Sequence, residues 1–123
     1  NQLIQSDSSD AQACNNYAYS LVERNQSLNK ALKMAKKAIN IEPENPSYLD
    51  TIGWIYFKLN NHEKAKEYIE ASIKINGDNA VVLEHLGDIF MKTHRKDDAL
   101  KYYQRALNLD KNNARLIKKA SPE

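Results

Sequence analysis

Few residues of this chain have types and spacings that could support chemistry. His85 and Asp88 are three residues apart and Glu84 stands beside them, so all three could approach one metal ion from the same helix. A metal site needs three or four converging ligands, however, and the spacing fixes no fourth candidate. The sequence therefore predicts no metal site.

Catalytic signatures are also missing. Cys14 is the single cysteine, and it falls at an apolar position of its expected helix, where thiols are usually buried and inert. The sequence contains no glycine-rich phosphate loop, and its carboxylate pairs have only the spacing of a helix surface. We expect neither enzymatic activity nor a bound cofactor.

Basic residues cluster in three stretches, which would be consistent with a nucleic-acid patch. The set comprises Lys33, Lys36, Lys37, Lys64, Lys66, Lys101 and Arg105. Acidic residues such as Glu67 and Asp97 are interleaved with these stretches, and the net charge is only +2. A solvated helix face accounts better for this pattern, so we expect no nucleic-acid partner.

The composition favours helices throughout. The 123 residues include only three Gly and three Pro, and 41% are hydrophobic, which leaves few of the turn clusters that strands require. No apolar run approaches the roughly 20 residues of a membrane span, so we expect no direct membrane insertion. The start at Asn1 and the closing SPE are typical of a piece cut from a longer protein.

The chain repeats itself at a spacing of about 34 residues. Gly53 returns as Gly87, for example, and Ala65 returns as Ala99. The repeat predicts units that each contain a helix, a short turn and a second helix. First helices are expected at about 11–24, 46–59 and 80–93, second helices at about 28–41, 62–75 and 96–109, and a final helical piece at 114–119.

Residues that can cap helices recur at the same spacing. Asp10, Asn45, Asn79 and Asn113 are separated by 35, 34 and 34 residues, and each is expected to precede a helix. Residues 1–6 would then form the last turn of a preceding helix. The first unit contains one extra residue in its turn, where Ser27 is expected to cap the second helix.

These recurring residues resemble the tetratricopeptide repeat, which places an apolar residue, Leu-Gly, an aromatic residue, Ala, another aromatic and Ala at set intervals. The second unit has Leu49, Ile52, Gly53, Tyr56, Ala65, Ile69 and Ser72, and the third has Leu83, Leu86, Gly87, Phe90, Ala99, Tyr103 and Ala106. The resemblance implies an all-α, right-handed solenoid. It implies one domain over residues 1–123, with units at about 11–45, 46–79 and 80–113 and partial helices at 1–10 and 114–123.

A second resemblance concerns the origin of the chain. The stretches NNYAYSLVER, YLDTIGWIYFK and VLEHLGDIF are similar to terminal arrays of bacterial members of this family, some of which are associated with the cell envelope. The resemblance leaves two compartments open, the cytoplasm and the cell envelope.

In this family, first helices line a concave groove that binds segments of partner proteins. The groove positions that packing leaves free are Asn15, Asn16, Tyr19, Glu23, Asp50, Thr51, Trp54, Lys58, Glu84, His85, Asp88 and Lys92. Tyr19 and Trp54 share one register and are the expected anchors of a partner. Trp54 has an alternative role, which is to pack against a neighbouring unit.

Charge gives an expectation for the partner. The acidic groove residues Glu23, Asp50, Glu84 and Asp88 outnumber the basic residues Lys58 and Lys92. We therefore expect a protein or peptide partner of basic or polar character. Some family members clamp a terminal carboxylate with basic and amide side chains, but the corresponding positions here, Asn15, Tyr19, Thr51, Val81 and His85, lack the required cations.

Two functions remain open at this point. The first is an adaptor or scaffold that binds a partner segment in the groove. The second is a structural spacer that extends a solenoid or associates with copies of itself. This alternative rests on Leu3, Ile4, Leu116 and Ile117, apolar residues near the two ends of the chain that no further unit would cover.

Overall fold

A computed structural model describes the backbone of residues 2–121 and the side chains of residues 9–121. This part of the chain contains helices and no strands, so the predicted all-α class is confirmed. The helices are α1 (Gln2–Glu23), α2 (Leu28–Ile41), α3 (Pro46–Lys58), α4 (His62–Ile75), α5 (Ala80–Lys92), α6 (Lys96–Leu109) and α7 (Ala114–Lys119). Within the described residues, none is long and apolar enough to cross a membrane.

Most helix bounds agree with the sequence prediction. The bounds of α2, α4, α6 and α7 are those expected, and α3 and α5 each end one residue earlier. The exception is α1, which continues from Gln2 to Glu23 without the expected break near Asp10. Asp10 therefore lies inside a helix and is not a cap. Because this segment contains neither Gly nor Pro, nothing forces the backbone out of the helix.

The asparagine caps are confirmed, whereas the serine cap is wrong. The side chains of Asn45, Asn79 and Asn113 each accept a hydrogen bond from backbone amides in the first turn of the following helix. Ser27 precedes α2 with a left-handed backbone, at φ 46°, and makes no side-chain cap. The left-handed backbone accommodates the extra residue of this turn and takes the hydroxyl away from the amides.

Each first helix ends at a left-handed residue in the same register. These residues are Asn25, Asn60 and His94, with φ values of 54°, 66° and 63°. The following amide in each case donates back to a carbonyl of the helix, as in Gln26 to Leu21 at 3.0 Å. This arrangement turns the chain sharply enough for the second helix to pack against the first.

The two helices of a unit approach closely at a glycine. A Cβ atom on Gly53 would lie 2.6 Å from Cγ1 of Ile69 and 3.2 Å from the carbonyl oxygen of Ala65. Gly87 faces the ring of Tyr103 in the same way. These contacts explain why two helices contain a residue that costs about 1 kcal/mol in helix propensity.

The short helix α7 packs at the register of a first helix. Leu116 is buried in a cluster with Leu83 and Ala106. The expectation that Leu116 lies uncovered is therefore wrong, whereas the neighbouring Ile117 is 52% exposed. The corresponding expectation for Leu3 and Ile4 concerns side chains outside the described residues.

Candidate functional site

The helices α1, α3 and α5 carry the twelve predicted groove residues in three neighbouring rows, but these differ in exposure. Six are buried: Asn15, Asp50, Thr51, Trp54, Glu84 and His85. Asp88 is half-buried, and the exposed residues are Asn16, Tyr19, Glu23, Lys58 and Lys92. Half of the predicted groove is therefore used in contacts between adjacent helices.

The centre of the rows is a stack between the second and third units. The indole of Trp54 lies flat against the imidazole of His85, with ring centroids 3.8 Å apart, and also stacks on Phe57 at 4.7 Å. Nδ1 of His85 lies 2.9 Å from Oδ1 of Asp50. Trp54 is only 8% exposed and packs against the neighbouring unit, which is the alternative role that the sequence left open.

Glu84 forms a second connection between adjacent helices, towards α7. Nε of Arg115 donates to one carboxylate oxygen at 2.7 Å and Nη2 donates to the other at 2.9 Å. Nζ of Lys119 donates to Glu84 at 2.7 Å as well. Burial would raise the pKa of Glu84, but these two cations and their hydrogen bonds outweigh burial and lower it to about 2.

Asp88 extends this network to α6. Nζ of Lys119 donates to its Oδ1 at 3.0 Å, and the hydroxyl of Tyr103 donates to the same atom at 2.6 Å. Burial of Tyr103, together with this hydrogen bond, raises the pKa of its phenol well above the usual range. Glu84 and Asp88 are therefore both held by donors from other helices.

The first unit offers a more open surface. The ring of Tyr19 is 41% exposed, and Asn16 and Glu23 are exposed on the same helix. Partial burial and the negative charges of Glu23 and Asp50 raise the pKa of the Tyr19 phenol, which indicates negative potential at this point. Asn15 is buried, and its Oδ1 has no hydrogen-bond partner among the described residues.

Arg115 and Lys119 were not among the residues predicted for the site. The predicted balance of groove charges therefore counted Glu84 and Asp88 as free. The signal that could have found the connection is spacing, because Glu84 and Lys119 are 35 residues apart, as are Asp50 and His85. Adjacent first helices thus meet through an acid in one unit and a basic side chain in the next.

His85 and Glu84, two of the three residues weighed above as metal ligands, bond to different neighbours. His85 directs Nδ1 to Asp50, and Glu84 is bonded to α7. Within residues 9–121, no three potential ligands among His, Cys, Asp and Glu lie close enough together to hold a metal ion.

Residues 46–79 and 80–113 each match a sequence model of the tetratricopeptide repeat. The two matches together cover more than half of the chain, which therefore belongs to the tetratricopeptide repeat family. The matched ranges are those assigned above to the second and third units, and the division of the rest of the chain stays a prediction. No curated protein sequence matches the chain.

Solved structures of similar fold include tetratricopeptide repeat domains. The first such domain of Spaghetti (RPAP3), bound to the HSP90 peptide SRMEEVD, is 18% identical with a TM-score of 0.84, covering 92% of this chain and 89% of that one. The Arabidopsis OM64 domain is 16% identical with a TM-score of 0.84 and 93% coverage of both chains. A mutant O-GlcNAc transferase of Thermobaculum terrenum is 16% identical with a TM-score of 0.86, covering 93% of this chain and 22% of that one. At these identities the likeness establishes the fold.

Proposed function

We propose that this chain is an interaction module that binds a segment of a partner protein along the groove side of α1, α3 and α5. The observation that carries the proposal is the exposed ring of Tyr19 in a row with Asn16 and Glu23. An amphipathic aromatic side chain that is ordered by its helix and open to solvent is well suited to anchor a partner. Membership of a family of interaction repeats supports the general role.

The partner segment is proposed to be basic or polar where it meets the first two units. Glu23 is exposed, and its charge and that of Asp50 both act on Tyr19. In the third unit, Glu84 and Asp88 already accept hydrogen bonds from Lys119. A basic segment therefore gains most from charge attraction near α1, and this part of the binding should weaken as salt is added.

Two tyrosines of α1 provide a matched test. Tyr19 and Tyr17 are 41% and 42% exposed, but Tyr17 lies beneath Lys30 of α2, away from the groove. Proteins captured from a lysate of the source cells by the parent chain should be lost from Tyr19→Ala and retained by Tyr17→Ala. Equal capture by the two variants, with circular dichroism showing both to be folded, would count against the groove.

Self-association is the second candidate, and the exposed Ile117 favours it. This side chain is 52% exposed on α7, where an apolar residue gains by being covered. Sedimentation velocity at rising concentration should then show association that Ile117→Glu abolishes. A monomer at all concentrations would remove this candidate and leave the groove proposal unchanged.

A further inference from the structure

Four exposed lysines lie along one edge of the molecule. Lys58 and Lys92 end α3 and α5, Lys96 begins α6, and Lys118 lies on α7. All four are exposed, and among residues 9–121 none has an acidic partner within ion-pair distance. We call these residues, together with Met91 and Leu100, the lysine edge. Lys58 and Lys92 are also among the twelve predicted groove residues, so the lysine edge adjoins the groove at the second and third units.

The floor of the lysine edge is apolar. A cleft of about 620 Å³ lies between α5, α6 and α7, with Met91, Leu100 and Tyr103 in its lining and Lys96 and Lys118 among its basic residues. Met91 is 46% exposed and also lines a second, shallower cleft. The second cleft is lined by Trp54, Phe57, Lys58, Asp88, Met91 and Lys92. The two clefts therefore join at one exposed methionine.

The carboxylates nearby do not neutralise the lysine edge. Asp88 is the acid that lines the second cleft, and its Oδ1 already receives hydrogen bonds from Lys119 and Tyr103. Glu84 is likewise bonded to Arg115 and Lys119. Asp97, which follows Lys96, is exposed and also forms no ion pair among the described residues. Four unpaired lysines against this one carboxylate leave the lysine edge positive, in contrast to the negative potential around Tyr19.

We propose that the lysine edge is a second docking surface, for a short amphipathic segment of another protein that carries apolar residues on one face and carboxylates beside them. The apolar face would cover Met91 and enter the cleft above Leu100, while the carboxylates would pair with Lys92, Lys96 and Lys118. Charge complementarity specifies this occupant and excludes a basic one.

Peptide suits the surface better than nucleic acid. Nucleic-acid grooves place aromatic rings where bases can stack on their faces. The Trp54 ring already stacks on His85 and on Phe57, and the exposed side chain at which the two clefts meet is the aliphatic one of Met91. The segment needs no free terminal carboxylate, because the lysines are distributed along the edge instead of converging on one point.

The test uses a helical peptide with leucines on one face and glutamates on the other, acetylated and amidated at its ends and labelled with fluorescein. Fluorescence anisotropy should show saturable binding to the chain. Lys92→Glu/Lys96→Glu should weaken this binding by about tenfold or more, because two attractions become repulsions. The control, Lys37→Glu/Lys101→Glu, changes the net charge equally at exposed positions outside the edge and should have little effect.

A second variant separates the apolar contribution. Met91→Ser removes an exposed side chain without disturbing the core and should weaken binding several-fold while leaving the circular dichroism spectrum unchanged. The proposal is overturned if the peptide fails to bind, if both double variants lose binding equally, or if a glutamate-to-lysine peptide or single-stranded RNA binds more tightly. Tyr19→Ala should leave the peptide's affinity unchanged, so the groove contacts around Tyr19 and the lysine edge can fail independently.

Discussion

Position 53 requires glycine because α3 and α4 approach too closely there for a side chain. The missing Cβ would lie 2.6 Å from Ile69 and 3.2 Å from a backbone carbonyl, and backbone cannot move aside as a flexible side chain can. Gly77 lies outside the helices, and a Cβ there would meet nothing closer than 3.5 Å. The two glycines therefore respond differently to the same substitution.

We expect Gly53→Ala to lower the free energy of unfolding by up to about 2 kcal/mol, because roughly 1 to 3 kcal/mol of overpacking exceeds a gain of about 1 kcal/mol in helix propensity. Gly53→Leu should cost more. Gly77→Ala, the control, should be neutral or stabilising by up to about 1 kcal/mol. Urea unfolding followed by circular dichroism measures all three, and equal midpoints for Gly53→Ala and Gly53→Leu would contradict the packing account.

Glu84 gives a pH dependence of defined sign. The pKa of Glu84 is about 2 in the folded chain, compared with 4.5 for an unperturbed glutamate such as that of the unfolded chain. The ionised carboxylate therefore stabilises the fold fully above about pH 4.5, and this stabilisation is lost as pH falls towards 2. We expect Glu84→Gln to cost roughly 1 to 3 kcal/mol at pH 7. The difference from the parent chain should shrink through this window in urea titrations.

Glu67→Gln is the control for this titration, because Glu67 is exposed in the middle of α4 and forms no ion pair among the described residues. It should follow the parent chain at every pH. A constant difference between Glu84→Gln and the parent from pH 6 to pH 2 would mean that the hydrogen bonds to Arg115 and Lys119 do not depend on the charge of Glu84.

The sequence predicted the positions of the groove residues along their helices, but it did not predict which of their side chains are buried. Spacing correctly placed Asp50, Trp54 and His85 on neighbouring first helices. It could not show that Trp54 and His85 stack, because a side chain that reaches the next helix has the same register as one that reaches solvent. The basic partners on α7, Arg115 and Lys119, were not predicted because only the charges within the three units had been compared.

At the scale of elements, α7 illustrates how six residues can form a stable helix. Leu116 is 1% exposed, the cap of Asn113 holds the first turn, and Arg115 and Lys119 pair with α5. An isolated helix of this length would not persist in water. The stability of α7 therefore comes from its contacts with α5 and α6.

Two adjacent residues of α7 allow a buried and an exposed apolar side chain to be compared, because Leu116 is buried and Ile117 is exposed. Leu116→Ala should lower the free energy of unfolding by roughly 2 to 5 kcal/mol, or by less if α7 detaches alone. Ile117→Ala should change it by less than about 0.5 kcal/mol. Urea unfolding, combined with hydrogen exchange of the α7 amides, distinguishes global loss from local detachment. Unchanged exchange in Leu116→Ala would contradict the packing of α7 described here.

Helix positions were predictable because the signals for them are local. An asparagine that caps a helix acts within a few residues, and the starts predicted for α3, α5 and α7 from Asn45, Asn79 and Asn113 hold. The failures at Asp10 and Ser27 share one cause. A side chain that can cap does so only if the backbone leaves the helix there with suitable angles, and neither site provides them.

At the scale of the whole molecule, two surfaces of opposite charge lie on one solenoid. The groove near Tyr19 is negative, and the lysine edge is positive. Sequence alone could not separate them, because acids and lysines share the same helices and only the pairing to Arg115 and Lys119 shows which charges remain. A single scaffold with both surfaces could hold two different partners at once.

The pairs of Asp50 with His85 and Glu84 with Lys119 also determine which unit can be duplicated in tandem without leaving a buried carboxylate unpaired. A tandem duplication of 46–79 would place Thr51 of the second copy opposite Asp50 of the first, leaving a buried carboxylate without its histidine. A tandem duplication of 80–113 would place His85 of the new copy opposite Glu84, so the acid keeps a partner. We expect the first extended chain to unfold at lower urea than the second, although both gain one unit. Gene duplication would then lengthen the array at a smaller cost in stability by copying its third unit than by copying its second.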